Sequence, residues 1–131
     1  PLSNAPGMPV DITGTDGSDS LVGTDGADRL NGLADNDVYT GGAGAALFVL
    51  ALAQGIDTIT DFEVGIDRIG IVEGEFTFAD VILIQDGVNT VLGISGETLA
   101  VLNNVQASAL GESDFVTVPD VSNPEEALAL I

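Results

Sequence analysis

Seven aspartates crowd residues 11–40, at positions 11, 16, 19, 25, 28, 35 and 37, with a single arginine among them. Asp16 and Asp25 each precede a glycine. Carboxylates and bare glycine-turn carbonyls are hard oxygen donors, and in number they suit calcium, which takes six to eight oxygens at about 2.3–2.6 Å. Magnesium demands a tighter octahedron and fits a flexible, carbonyl-rich cage less well. Zinc is disfavoured, because the chain has no histidine and no cysteine.

The aspartates are spaced by a repeat. Residues 14–49 read GTDGSDSLV, GTDGADRLN, GLADNDVYT and GGAGAALFV. Glycine opens each copy (Gly14, Gly23, Gly32, Gly41), aspartate stands sixth in three of them (Asp19, Asp28, Asp37), and a large apolar residue stands eighth (Leu21, Leu30, Tyr39, Phe48). A period of nine suits neither a helix nor a plain strand. It suits a turn of about six residues followed by a strand of about three, of which only the middle residue points inward. Two such units make one coil, and equivalent turns stack along each edge.

This nonapeptide resembles the G-G-x-G-x-D-x-U-x unit of RTX proteins, whose sixth-position aspartate binds calcium between one turn and the turn two repeats along. The resemblance implies an ion shared by the turn of Gly14, Asp16 and Asp19 and the turn of Gly32, Asp35 and Asp37. It also implies a second, impaired site, where the turn of Gly23, Asp25 and Asp28 meets Gly41 but Ala46 replaces the sixth-position aspartate. The third copy departs too, with Asp35 in place of a glycine. Asp57, Ile59, Asp61, Phe62, Gly65, Asp67 and Ile69 further resemble the D-x-I-x-D-F-x-x-G-x-D-x-I segment after the repeats in serralysin-type and other RTX C-terminal domains.

Composition bears on partners. Twenty-one acidic residues against Arg29 and Arg68 leave a net charge of −19, which excludes nucleic acid and anionic membranes as partners and favours bound cations. At 131 residues, with 45% hydrophobic residues and a mean hydropathy of +0.40, the chain is one domain with a real core. The aspartate-rich coils repel themselves, and their short strands bury too little to offset the ordering of glycine-rich turns. Calcium is therefore expected to fold them. For a site binding at about 0.1 mM, about 1 mM calcium adds roughly 1.4 kcal/mol per ion, and submicromolar calcium adds almost nothing. That difference separates the cytosol from the exterior.

Without cysteine there are no disulfides. No signal peptide is recognisable and the first residue is not Met, so a fragment or processed product of a longer protein is expected. The longest apolar run, residues 45–53, has nine residues against the roughly 20 that span a bilayer.

The expected fold is all-β: a short parallel β-roll extended by an antiparallel, sandwich-like C-terminal part. Residues 1–10 read as a linker and 11–50 as the roll, with 11–13 as its entering strand. Residues 51–118 read as a β region packed on the roll, and 119–131 as a tail that starts a short helix at Asn123 and Pro124. Residues 47–53 read as a buried strand, or as a short helix, and 55–71 as two strands around a turn at Gly65. Residues 81–94 carry a hairpin with Asp86-Gly87 as a type I′ turn, and 97–102 another strand. A single helical turn is expected within 103–111.

Enzyme chemistry finds no footing. There is no H-E-x-x-H zinc helix, no G-x-S-x-G elbow and no cysteine nucleophile. Asp57, Asp61 and Asp67 read as acceptors of turn N–H groups and oxygen donors to a further ion, in preference to paired acid and base. The reading is a secreted or cell-surface calcium-binding module of a larger extracellular protein. It would fold outside the cell and support export; Ser113-Asp114-Phe115-Val116 resembles the ending of RTX proteins exported by an ABC-type apparatus. The alternative is a structural or adhesive module that self-assembles in calcium through its strand edges.

Overall fold

The computed structural model describes residues 10–52 and 54–118. The leader 1–9 and the tail helix expected at 123 lie outside the described residues. Eleven strands form two sheets. One contains β1 (Val10–Thr13), β3 (Asp28–Asn31), β5 (Ala46–Leu50), β7 (Arg68–Val72) and β11 (Phe115–Val118), in that order and all parallel. The other runs β2 (Ser20–Val22), β4 (Val38–Thr40), β6 (Asp57–Ile59), β10 (Glu97–Leu102), β9 (Asn89–Ile94) and β8 (Ile82–Asp86).

The repeat dictates this alternation. Each nonapeptide supplies one short strand, successive strands fall in opposite sheets, and strands two repeats apart pair in register: Leu30↔Phe48 in one sheet, Leu21↔Tyr39 in the other. The eighth-position residues all face the space between the sheets, where Leu30, Tyr39 and Phe48 are fully buried. Phe48 stacks at a tilt on Tyr39 and Phe62, with ring centroids 5.8 and 6.1 Å away. The Tyr39 hydroxyl needs partners in that setting. It accepts the Gly32 N–H at 2.7 Å and donates to the Val49 carbonyl at 3.3 Å.

The roll does not stop where the nonapeptides stop. β6 pairs parallel with β4 and β7 with β5, so the two strands around Gly65 lie in opposite sheets. β10 and β11 then join in parallel beside β6 and β7. Antiparallel pairing is confined to β8, β9 and β10, which widen one sheet. Leu92, Leu99, Leu102, Val105 and Phe115 continue the core there.

The first hairpin turns on Gly87 and Val88, one residue later than Asp86-Gly87, because Asp86 still pairs with Asn89. Gly87 has φ +62° and Val88 is not left-handed. That is the type II′ pattern, with glycine first; a β-branched second residue resists the positive φ that type I′ requires. The helical turn expected within 103–111 is a 3-10 turn at Ala107–Ala109.

Candidate metal centre

Register turns the repeat into columns. Ser20, Val38 and Thr58 stand side by side, so the residues just before them, Asp19, Asp37 and Asp57, line one edge of the roll. On the other edge the column is Asp28, Ala46 and Asp67. Asp57 and Asp67 therefore hold the sixth-position place in the next coil. The nonapeptide count misses them because the step lengthens to 20 residues from Asp37 to Asp57 and to 21 from Ala46 to Asp67.

Each carboxylate splices its coil to the one before. Asp37 Oδ1 accepts the Asp19 N–H at 2.8 Å, and Asp57 Oδ1 accepts the Asp37 N–H at 3.0 Å. Asp67 Oδ1 accepts the Ala46 N–H at 2.9 Å, and its Oδ2 accepts the Glu63 N–H at 2.8 Å. Ala46 has no carboxylate to offer, so the Asp28 N–H goes to the Ala45 carbonyl at 3.2 Å. Asp61 clamps the fourth copy's turn by accepting the Gly41 and Gly42 N–H groups at 2.7 and 3.1 Å.

The sixth-position carboxylates also cap their own turns. Asp19 accepts the Thr15 N–H at 2.6 Å and the Thr15 hydroxyl at 3.0 Å, and Asp28 accepts the same two groups of Thr24. In the third copy the threonine is replaced by Leu33, at φ +65°, whose N–H turns to Asn31 Oδ1 at 3.1 Å. Asp37 Oδ2 is consequently buried with no partner among the described residues, in a side chain only 1% exposed. A buried charge in that state is costly.

Electrostatics agree. Burial, followed by the negative charges of Asp19 and Asp35, raises the Asp37 carboxyl above the usual carboxylate range. Burial pushes Asp57 up to about 7, with Asp37 adding repulsion, and burial with Asp61 and Glu63 nearby raises Asp67. These acids need either protons or a cation.

The glycines show which oxygens lie close together. A Cβ added to Gly14 would lie 2.5 Å from Asp19 Oδ2 and 2.9 Å from the Gly32 carbonyl oxygen, so a carboxylate of one coil and a carbonyl of the next share one small space. The same arrangement at Gly23 brings together Asp28 Oδ2 and the Gly41 carbonyl, and Gly44 closes against the Asp25 and Gly26 carbonyls. Turns two repeats apart are thus stacked. Asp16, Asp25 and Asp35 keep exposed side chains, and among the described residues no three acidic side chains converge on one point. The oxygens brought together here are carboxylates and peptide carbonyls, a donor set that fits calcium and not zinc.

The sequence family agrees with this chemistry. The model of the RTX calcium-binding nonapeptide repeat matches residues 13–46 in four copies. Residues 13–46 are RTX calcium-binding repeats. Such RTX repeats bind calcium, and the proteins that carry them are typically extracellular. The crystal structure of the extracellular lipase LipA from Serratia marcescens is similar in fold over 82% of this chain, at 21% identity and a TM-score of 0.61. The chain spans only 21% of that lipase. The solution structure of the AlgE6R3 subunit of the Azotobacter vinelandii mannuronan C5-epimerase aligns with 88% of this chain and 81% of its own, at 25% identity and a TM-score of 0.35. Among curated proteins none matches. In the RTX roll and its extension, no helix among the described residues is long and apolar enough to cross a membrane.

Proposed function

We propose that the chain is a non-catalytic C-terminal RTX module of a larger secreted protein. It stays loose at cytosolic calcium, folds on calcium outside the cell, and so supports the export and stability of the protein that carries it. The export route would be an ABC-type apparatus. The ligands would be drawn from Gly14, Asp16, Asp19, Gly23, Asp25, Asp28, Gly32, Asp35, Asp37 and Gly41, the glycines and exposed aspartates through their carbonyls, with Asp57 and Asp67 prolonging the two columns.

The observation that carries this reading is Asp37, buried between two other aspartates with one oxygen partnerless. A divalent cation removes that cost, and without it the roll carries unrelieved repulsion. Amide hydrogen exchange in about 1 mM calcium and in a chelator tests it. Protection of β2–β6 should appear only with calcium, and equal protection in both conditions would discard the proposal.

A second reading has one observation in its favour. β8 is the edge strand of its sheet, and Ile82, Ile84 and Val88 on this hairpin are 45%, 56% and 65% exposed. Such an edge invites pairing with another chain. Calcium-dependent growth in light scattering would favour a self-assembling surface module, whereas a monomer in both conditions removes it.

A further inference from the structure

The two basic residues of this chain are not scattered. Arg29 in β3 and Arg68 in β7 share one row of the all-parallel sheet, with Leu47 of β5 between them. Strands in a sheet lie roughly 4.8 Å apart, so two strand spacings put the arginine Cα atoms about 10 Å apart. Both arginines line the space beside Leu47. A groove of about 460 Å³ opens there, lined also by Ala46, Leu47, Ile66 and Val116.

Arg29 Nη2 is buried with no hydrogen-bond partner among the described residues, and it meets a carboxylate in the groove only when the side chain turns outward. A guanidinium donor left buried without a partner is costly. Neither arginine makes an ion pair with a described residue, although Asp11 stands opposite Arg29 in register and also lines the groove. Asp28, the other acid there, is committed to Thr24. Two arginines one strand apart from Leu47, beside apolar side chains, match one planar carboxylate with an apolar body. The volume falls in the range of small-molecule sites, roughly 300–1,000 Å³. A net charge of −19 repels polyanions and gives a small bare anion little reason to stay, so apolar contact has to supply part of the hold.

We propose that this groove binds a straight-chain carboxylate amphiphile, its carboxylate between Arg29 and Arg68 and its alkyl chain along Leu47, Ile66 and Val116. Calorimetry on the whole chain at constant calcium tests this with octanoate, set against acetate, 1-octanol and octyltrimethylammonium. Octanoate should bind one to one and the other three should not. Arg29→Gln and Arg68→Gln should each weaken octanoate at least tenfold, with the calcium-dependent circular dichroism unchanged. Arg68 is exposed, so its variant carries the test if Arg29→Gln does not fold. The proposal is overturned by no octanoate heat, which is also the result if an acidic segment of this chain already fills the groove. It is equally overturned by octanol binding as tightly, by acetate binding as tightly, or by both arginine variants binding octanoate like the parent.

Discussion

The two edges of the roll are built from the same repeat and end differently. Along one, Asp19, Asp37 and Asp57 succeed each other coil after coil, and the Asp19 and Asp37 N–H groups each meet the carboxylate of the next coil. Along the other, Ala46 interrupts Asp28 and Asp67, and two neighbours cover the loss: the Ala45 carbonyl takes the Asp28 N–H, and Asp61 takes the Gly42 N–H. The sixth-position aspartate thus splices backbone between coils and, in the function proposed, has a second task, offering oxygen to an ion. Backbone and a borrowed aspartate can take over the first. The second goes with the carboxylate, so the stronger calcium site is expected on the unbroken edge.

The largest effect should come from cutting that edge. Asp19→Ala combined with Asp37→Ala removes two carboxylates and leaves the Asp19-position N–H without its acceptor, a loss of about 1–3 kcal/mol before any ion is counted. With at least one ion's contribution gone as well, the calcium midpoint of folding, read by circular dichroism, should rise at least tenfold. Asp28→Ala on the interrupted edge should move it markedly less. Equal shifts would mean the edges are equivalent and Ala46 is immaterial.

A smaller effect, of opposite sign with and without calcium, follows from Asp57. Its carboxyl in the calcium-free fold titrates near 7, against an ordinary value of 3.8. Between those values the folded chain holds more protons than the unfolded chain, so the stability of the chelated protein falls as pH rises through this window. Asp37 and Asp67, raised in the same direction, add to the slope. Calcium binds the ionised carboxylates, so its affinity climbs over the same range. Lowering the pH from about 8 to about 5 should therefore bring up roll structure in chelator that is missing at pH 8, and should lower the Tm of the calcium-loaded chain. Asp57→Asn keeps an oxygen for the Asp37 N–H and should flatten the chelated slope; a slope left as steep would assign it to overall charge instead.

The sequence announces the roll wherever glycine, aspartate and an apolar residue recur in phase, because each type has one physical job there. Glycine is small enough to admit the carboxylate packed against it, as at Gly14 with Asp19 and Gly23 with Asp28, and the eighth residue is the one that faces inward. The later coil keeps the strands and drops the signal. Asp57 and Asp67 do the same splicing from turns two and three residues longer, with no opening glycine to mark the phase. Ion geometry was legible only in part, since spacing along the chain cannot tell a carboxylate turned into the roll, such as Asp37, from one turned out, such as Asp35. Nor does any nine-residue pattern foretell that Arg29 and Arg68 share a row, because that depends on the register of strands 39 positions apart.

The smallest expected effect is also the sharpest test of the comparison. Ala46→Asp should supply the absent carboxylate and give the Asp28 N–H the acceptor that its counterpart Asp19 already has. The space beside Gly41 where it would lie now holds the Ala46 Cβ and the Phe48 ring, and Asp61 has already taken the Gly41 and Gly42 N–H groups. The new carboxylate meets a like charge and few free donors, so alone it should tighten calcium by a few fold at most. Ala46→Asp with Asp61→Asn removes the repulsion while the amide oxygen keeps one of the turn's acceptors. Calorimetry should then show an added or clearly tighter site. If the pair gains no more than the single change, Asp61 is not the stand-in for the missing aspartate, and the difference between the edges has another origin.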